Sequence, residues 1–199
     1  MHIILASASP RRKELFGFFH LDFEVQVPVV DEIAEKGEAP GAFCRRIGRQ
    51  KAMEIAGQRP GCLVIAADTV VSVDDKIFGK PADKAQAAIF LRHLSGRGHE
   101  VFTGYTIVDN TQGRTITRAI RSQVFFNHMT QEEIDWYIST HEPMDKAGAY
   151  AIQGIGAMFI EEIKGSFTNV MGLPVAEVYQ DLREMGISIT KKQGGLIRK

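Results

Sequence analysis

Residues 62–73 read CLVIAADTVVSV. The first half is apolar without a break, the pattern of a strand buried on both faces near the centre of a sheet. Asp68 interrupts it. Aspartate disfavours strands, and a buried carboxylate is costly unless it is paired or bound to a metal. A residue that misfits an otherwise consistent element is where function is expected. The plainer alternative is an aspartate that only marks the end of the strand.

Elements of both types surround this strand. HIILA (2–6) reads as a short buried strand, and Ser9 and Pro10 then supply the N-cap and first position of a helix over 10–20. FEVQV (23–27) alternates as a second strand, and 40–57 reads as a helix. Residues 82–96 form a helix closed by Gly96. Two β-rich runs, 100–109 and 114–127, are joined by NTQG as a hairpin. Thr130 and Glu133 make a capping box for a helix over 130–140. AMFIEEI (157–163) is strand-like, and 172–186 reads as a last helix with Pro174 in its first turn. The tail KKQGGLIRK (191–199) is polar and expected to fray. Strands and helices mix throughout, so the class is mixed α/β or α+β.

Composition excludes several functions. With 199 residues, 44 % hydrophobic and 24 % charged, the chain is ordinary for a globular protein of one domain, or one domain with two lobes. A formal net charge of zero carries no global field for a nucleic acid. The cluster Arg45, Arg46, Arg49 and Lys51 is a weak local candidate for one. The two cysteines make no ligand pair and are expected to be reduced thiols of a cytosolic protein. The six histidines lack metal-ligand spacing. No apolar stretch reaches roughly 18 residues, so no membrane span is expected. Residues 1–20 carry arginines where a signal peptide needs an apolar core.

The candidate chemistry is that of a polyphosphate. In HIILASASPRRKEL (2–15) a strand stops at small residues before a helix N-terminus, where free N–H groups and the helix dipole favour an anion. Ser7 and Ser9 add hydroxyls, and Arg11 and Arg12 add planar forks suited to phosphate oxygens. A capped surface helix with solvated arginines would look the same. VVDEI (29–33) sets two carboxylates side by side. FGKP (78–81) holds Lys80 between glycine and proline, an ordinary turn lysine or a point charge for phosphate. Residues 145–174 contain five glycines, the mark of tight turns or of a backbone pressed against a ligand. Gln153 among them is a neutral donor and acceptor able to read a base edge. There is no Walker loop, no GxGxxG after a strand, and no nucleophilic triad. Acidic positions with several Arg and Lys instead describe a triphosphate site, with carboxylates for Mg²⁺ and bases for the remaining charge.

The ordered set LASASPRRKEL, DE at 31–32, KA at 51–52, AADTVV, GKP, HEVFTG and EPMDKAGAYAIQGIGAMFIEEIKGSFTNVMGLP resembles the Maf family of nucleoside triphosphate pyrophosphatases over about residues 3–186. The resemblance implies a mixed α/β fold like that of inosine triphosphate pyrophosphatases, with an elongated curved sheet, two lobes around a cleft, and a homodimer. It implies one domain over 1–187 and a polar tail over 188–199. It also implies hydrolysis of a nucleoside triphosphate to the monophosphate and pyrophosphate with Mg²⁺ or Mn²⁺. Asp68 matches the proton acceptor and Glu32 a second acid and metal ligand. Arg11, Arg12, Lys51 and Lys80 match phosphate-binding bases. Arg11, Thr69 and Gln153 match the positions that set base preference, in the form of the subgroup that prefers dTTP and UTP. Gly48, His141 and Ala151 depart from the commoner residues of the family. The rival class is a non-enzymatic, nucleotide-sensing regulator of septum formation.

Overall fold

A computed structural model describes residues 2–189. In chain order the elements are β1 (His2–Ala6), α1 (Pro10–Gly17), β2 (Glu24–Gln26), α2 (Pro40–Gln58), β3 (Cys62–Val73), β4 (Lys76–Phe78), α3 (Lys84–Leu94), β5 (Gly98–Asp109), β6 (Arg114–Phe126), α4 (Gln131–Ser139), β7 (Ile160–Lys164), α5 (Phe167–Met171) and α6 (Val175–Glu184). The strands form a seven-stranded sheet in the order β2-β1-β3-β5-β6-β7, with β4 paired to β3. β1 runs parallel to both β2 and β3, and the remaining pairs are antiparallel. The sheet is elongated because β3, β5 and β6 are 12, 12 and 13 residues long. The expected mixed α/β class holds. The polar tail at 191–199 lies outside the described residues.

Local signals placed most ends correctly. Ser9 Oγ accepts from the Arg12 amide with Pro10 at the helix start, and the Thr130–Glu133 capping box is formed on both sides. Three features differ from the sequence reading. Val73 and Lys76 pair across a two-residue hairpin in which Asp74 and Asp75 have φ of 49° and 59°. Such a turn is usually marked by Asn or Gly, so β4 carried no sequence signal. The last helix expected over 172–186 is α6, but it starts later, with Pro174 as its N-cap rather than in its first turn. A short helix the sequence did not signal, α5, precedes it and ends at Gly172, whose φ is 112°. The strand expected over 157–163 begins as a 3-10 turn, Ile155–Phe159, and only then becomes β7.

The alternation along β3 divides the interior. Cys62, Val64 and Ala66 face the C-terminal half of α2, at Ala52, Ile55 and Ala56. Val70, on the same face, packs on Phe43, Cys44 and Ile47 of α2. On the opposite face Leu63, Ile65 and Ala67 join a core with Leu15, Phe16 and Leu182. Further along that face Val71 and Val73 join a second core with Leu91, Ile134 and Tyr137. Asp68 and Thr69 fall at the gap on each face. The polar break in the strand is therefore the boundary between two apolar cores, which the period of two places on both sides of the sheet at once.

Close packing brings α2 onto this boundary. A Cβ at Gly48 would lie 2.6 Å from the Gly104 carbonyl oxygen, and one at Gly104 would lie 2.2 Å from the Cys44 carbonyl. Glycine at both positions lets the helix backbone touch the sheet directly opposite Asp68, whose register partner on β5 is Gly104. That contact sets how deep the α2 side chains reach.

Candidate active site

A cleft of about 1010 Å³ opens over the gap. Its wall is built from the turn after β1, the loop carrying Glu32, the middle of β3, the turn after β4 and the glycine-rich segment before β7. Nine candidate site residues line it, Ser7, Arg11, Arg12, Glu32, Lys51, Asp68, Thr69, Lys80 and Gln153, whereas Asp31, the other carboxylate of VVDEI, does not.

At its floor lies a charged triad. Asp68 is mid-strand and only 4 % exposed, so it does not mark a strand end. Lys51, on α2, is also buried, and its Nζ lies 2.7 Å from Asp68 Oδ1 and 2.7 Å from Glu32 Oε1. Burial pushes the Asp68 carboxyl above its ordinary range, Lys51 and Arg12 pull it back, and Glu32 adds to the rise. Glu32 is half exposed and stands on the loop between β2 and α2. Arg46 holds that loop: it donates to Glu38 at 2.8 Å and 2.6 Å and to the Ile33 carbonyl at 3.0 Å. The basic cluster on α2 is thereby divided. Lys51 turns inward and Arg46 is engaged, while Arg45 and Arg49 stay exposed.

The turn after β1 forms one wall of the cleft. Ser7 is buried, and its Oγ accepts from the Ser9 amide at 3.1 Å. Arg12 Nε donates to the Gly172 carbonyl at 2.8 Å and Nη2 to Thr69 Oγ1 at 3.0 Å. Thr69 Oγ1 also lies 2.9 Å from Thr103 Oγ1, which donates to the Asn169 carbonyl. The Thr69 hydroxyl, assigned by resemblance to base preference, thus holds Arg12 in place from below. Among the described residues no hydrogen bond or ion pair ties the side chains of Arg11, Lys80 or Gln153. Burial weakens the hold of Arg11 on its proton, and the field of Asp145, Tyr137 and Glu142 opposes that. Lys80 and Gln153 are exposed to the cleft. The turn bearing Lys80 is fixed by a 3.1 Å bond from the Gly148 amide to the Gly79 carbonyl.

Sequence reasoning missed Glu142, Asp145 and Lys146, which also line the cleft. They carry no signal beyond an acidic residue before a proline, because their placement depends on a tertiary turn. His141, just before them, has a φ of 64°, the left-handed conformation that favours glycine. His99, in the HEVFTG stretch, plays no part in the cleft: its Nε2 lies 2.8 Å from the Tyr150 hydroxyl, and burial lowers its pKa to about 3.

Among the described residues no group of three His, Cys, Asp or Glu could hold a metal ion unaided. The donor chemistry nevertheless suits a hard cation. Asp68 and Glu32 converge on the Lys51 ammonium, 2.7 Å from each, and so sit close enough together to share a cation. Mg²⁺ is commonly held by one or two carboxylates plus substrate phosphates. Both cysteines are buried and unpaired. Among the described residues no helix is long and apolar enough to cross a membrane.

Paired acids bridged by a buried lysine, under a turn of serines and arginines, make a candidate polyanion site in an α/β fold. Residues 2–185 match the family model described as Maf-like protein, and the chain belongs to the Maf family. It is 47 % identical over 184 residues to the dTTP/UTP pyrophosphatase of Syntrophus aciditrophicus (strain SB), covering 92 % of this chain and 90 % of that protein. It is 48 % identical over 184 residues to the dTTP/UTP pyrophosphatase of Geobacter metallireducens (strain ATCC 53774 / DSM 7210 / GS-15), covering 92 % of this chain and 96 % of that protein. Its fold is similar to that of the Staphylococcus aureus Ham1 protein, with a TM-score of 0.51 at 14 % identity over 93 % of this chain and 99 % of that one.

Proposed function

We propose that this protein hydrolyses dTTP and UTP to the monophosphate and pyrophosphate, clearing them or modified pyrimidine relatives from nucleotide pools. The observation that carries the reading is the buried Asp68–Lys51 pair, joined by the half-exposed Glu32, beneath a cleft lined by Ser7, Arg11, Arg12 and Lys80. Two carboxylates repel a polyphosphate unless cations intervene, so their presence favours chemistry over simple nucleotide sensing. The curated relatives' names point the same way.

In this reading the turn at Ser7–Arg12, with Lys80 across the cleft, binds the phosphate chain. Arg12, held by Thr69 and Gly172, orients one phosphate, while Arg11 is free to meet another. Asp68 and Glu32 would hold Mg²⁺ or Mn²⁺, which neutralises phosphate charge and polarises the reacting phosphoryl group. Asp68 accepts the proton of the attacking water as its oxygen bonds to the α-phosphorus. The α–β bridging bond breaks, and its electron pair leaves with pyrophosphate. A carboxylate whose proton affinity is raised by burial is the better base for that step. Arg11, Thr69 and Gln153 are the base-preference positions, Gln153 through its amide and Thr69 through Arg12. The single domain over 1–187, the homodimer and the cytoplasmic location belong to the same proposal.

A panel of nucleoside triphosphates assayed for pyrophosphate tests it. With Mg²⁺ the expected result is release of one pyrophosphate per dTMP or UMP, lost on chelation by EDTA and restored by added metal. Release of orthophosphate, or turnover that ignores EDTA, would contradict the proposal.

A further inference from the structure

The geometry points to Glu142 as a positioning residue for nucleobase selection, acting through the turn that presents Gln153. The carboxylate is surrounded by donors from that turn. Glu142 Oε2 accepts from the Ile155 amide at 3.0 Å, and Oε1 accepts from the Gly156 amide at 2.9 Å and from the Tyr137 hydroxyl at 2.9 Å. The Tyr137 oxygen in turn accepts from the Ala151 amide at 3.1 Å. One carboxylate thus grips the chain directly after Gln153 and, through a buried tyrosine, directly before it. Residues 152–154 bridge the two grips, and Gln153 is exposed at their middle.

The glycines record the same clamp. At Gly154, φ is 110° and a Cβ would lie 2.3 Å from Glu142 Oε2. At Gly156 a Cβ would lie 2.4 Å from the Ala151 carbonyl oxygen and 2.5 Å from the Tyr137 hydroxyl. The sequence suggested tight turns or a backbone pressed against a ligand; here the backbone is pressed against two side chains of its own fold. Only a carboxylate suits the place. It faces three donors and is acceptor-only, whereas a glutamine amide would turn its NH₂ toward one of them. The hydrogen bonds also keep it ionised: burial raises its proton affinity, but the two amides and the Tyr137 hydroxyl outweigh burial and hold the carboxyl below the usual range.

A clamp of this kind matters to selection because a reading amide must be held in a productive geometry before the base arrives. The inference rests on the reading of Gln153 as the contact to the base. The test compares kcat/KM for dTTP and dCTP, which share sugar and phosphates, in the unaltered protein, Glu142→Gln, Tyr137→Phe, Gln153→Ala and Glu142→Gln/Gln153→Ala. General damage lowers both substrates alike and leaves their ratio fixed. Glu142→Gln is expected to lower the dTTP-to-dCTP ratio by about 5–10-fold, and Tyr137→Phe by roughly 2–5-fold. The double variant is expected to have the ratio of Gln153→Ala alone, as residues acting through one contact do. If Gln153→Ala loses discrimination while Glu142→Gln and Tyr137→Phe keep it, the clamp is overturned and the Gln153 reading stands. If Gln153→Ala keeps discrimination, the reading and the clamp fall together. Should Glu142→Gln fail to fold, the ratio in Tyr137→Phe, which keeps the buried ring, decides alone.

Discussion

Asp68→Asn is expected to fold normally and to release pyrophosphate from dTTP about 10²–10⁴-fold more slowly. The amide keeps the shape of the carboxylate but cannot take a proton from water at neutral pH. Stability is expected to hold because the charged carboxylate is not a favourable feature of the fold. Burial raises its proton affinity despite Lys51 and Arg12, so the ionised form is held at a cost that a neutral isostere avoids. Lys51 keeps Glu32 as its partner at 2.7 Å. Thermal unfolding beside a pyrophosphate assay separates the two effects. Near-normal turnover would remove Asp68 from the chemistry, and a collapse of stability would make it a structural residue.

Lys51→Met is expected to do the opposite damage, costing about 3–5 kcal/mol at neutral pH, the penalty for stranding one member of a buried pair. Both side chains are under 10 % exposed, at 9 % for Lys51 and 6 % for Asp68, so solvent does little to screen the loss. The deficit is expected to depend on pH. A carboxyl whose folded pKa exceeds its unfolded value binds more protons when folded, so stability falls as pH rises between the two values and is flat above them. Removing Lys51 takes away the largest influence opposing that rise. The variant's deficit is therefore smallest in acid and grows to its full size as pH climbs past the raised Asp68 value. Urea unfolding of both proteins at about pH 5 and about pH 8 measures this. A deficit that is the same at both, or under about 1 kcal/mol at the higher, would show that Lys51 does not serve as the counter-charge.

Where chemistry opposes local structure, the site was legible from sequence. Asp68 stood out because an apolar strand has no use for it, and the α1 cap stood out because Ser9 and Pro10 have one local meaning. Lys51 had no such signal of its own. Its inward turn follows from the contact of Gly48 with Gly104, which joins residues far apart in the chain. Resemblance supplied it instead, together with Thr69, whereas Glu32 and Gln153 were visible as a paired carboxylate and as a lone amide among glycines. β4 was missed because Asp74 and Asp75 adopt a turn that Asn and Gly usually mark. Glu142 was missed because its meaning lies in the amides of Ile155 and Gly156, which no side-chain pattern reports. The long strand over 62–73 was read correctly, yet its alternation alone could not show that Asp68 and Thr69 separate two cores, since that requires the helices on both faces.

The central claim is that the acids at the floor and the turn at Ser7–Arg12 hold one polyphosphate through a divalent ion. Crystals grown with Mn²⁺ and a dTTP analogue whose α–β bridge is imido test it through the anomalous signal of manganese. The expected map has a peak in contact with the Asp68 and Glu32 carboxylates and the phosphate chain against Ser7, Arg11 and Arg12. An analogue bound outside the cleft, or manganese away from both acids, would contradict it.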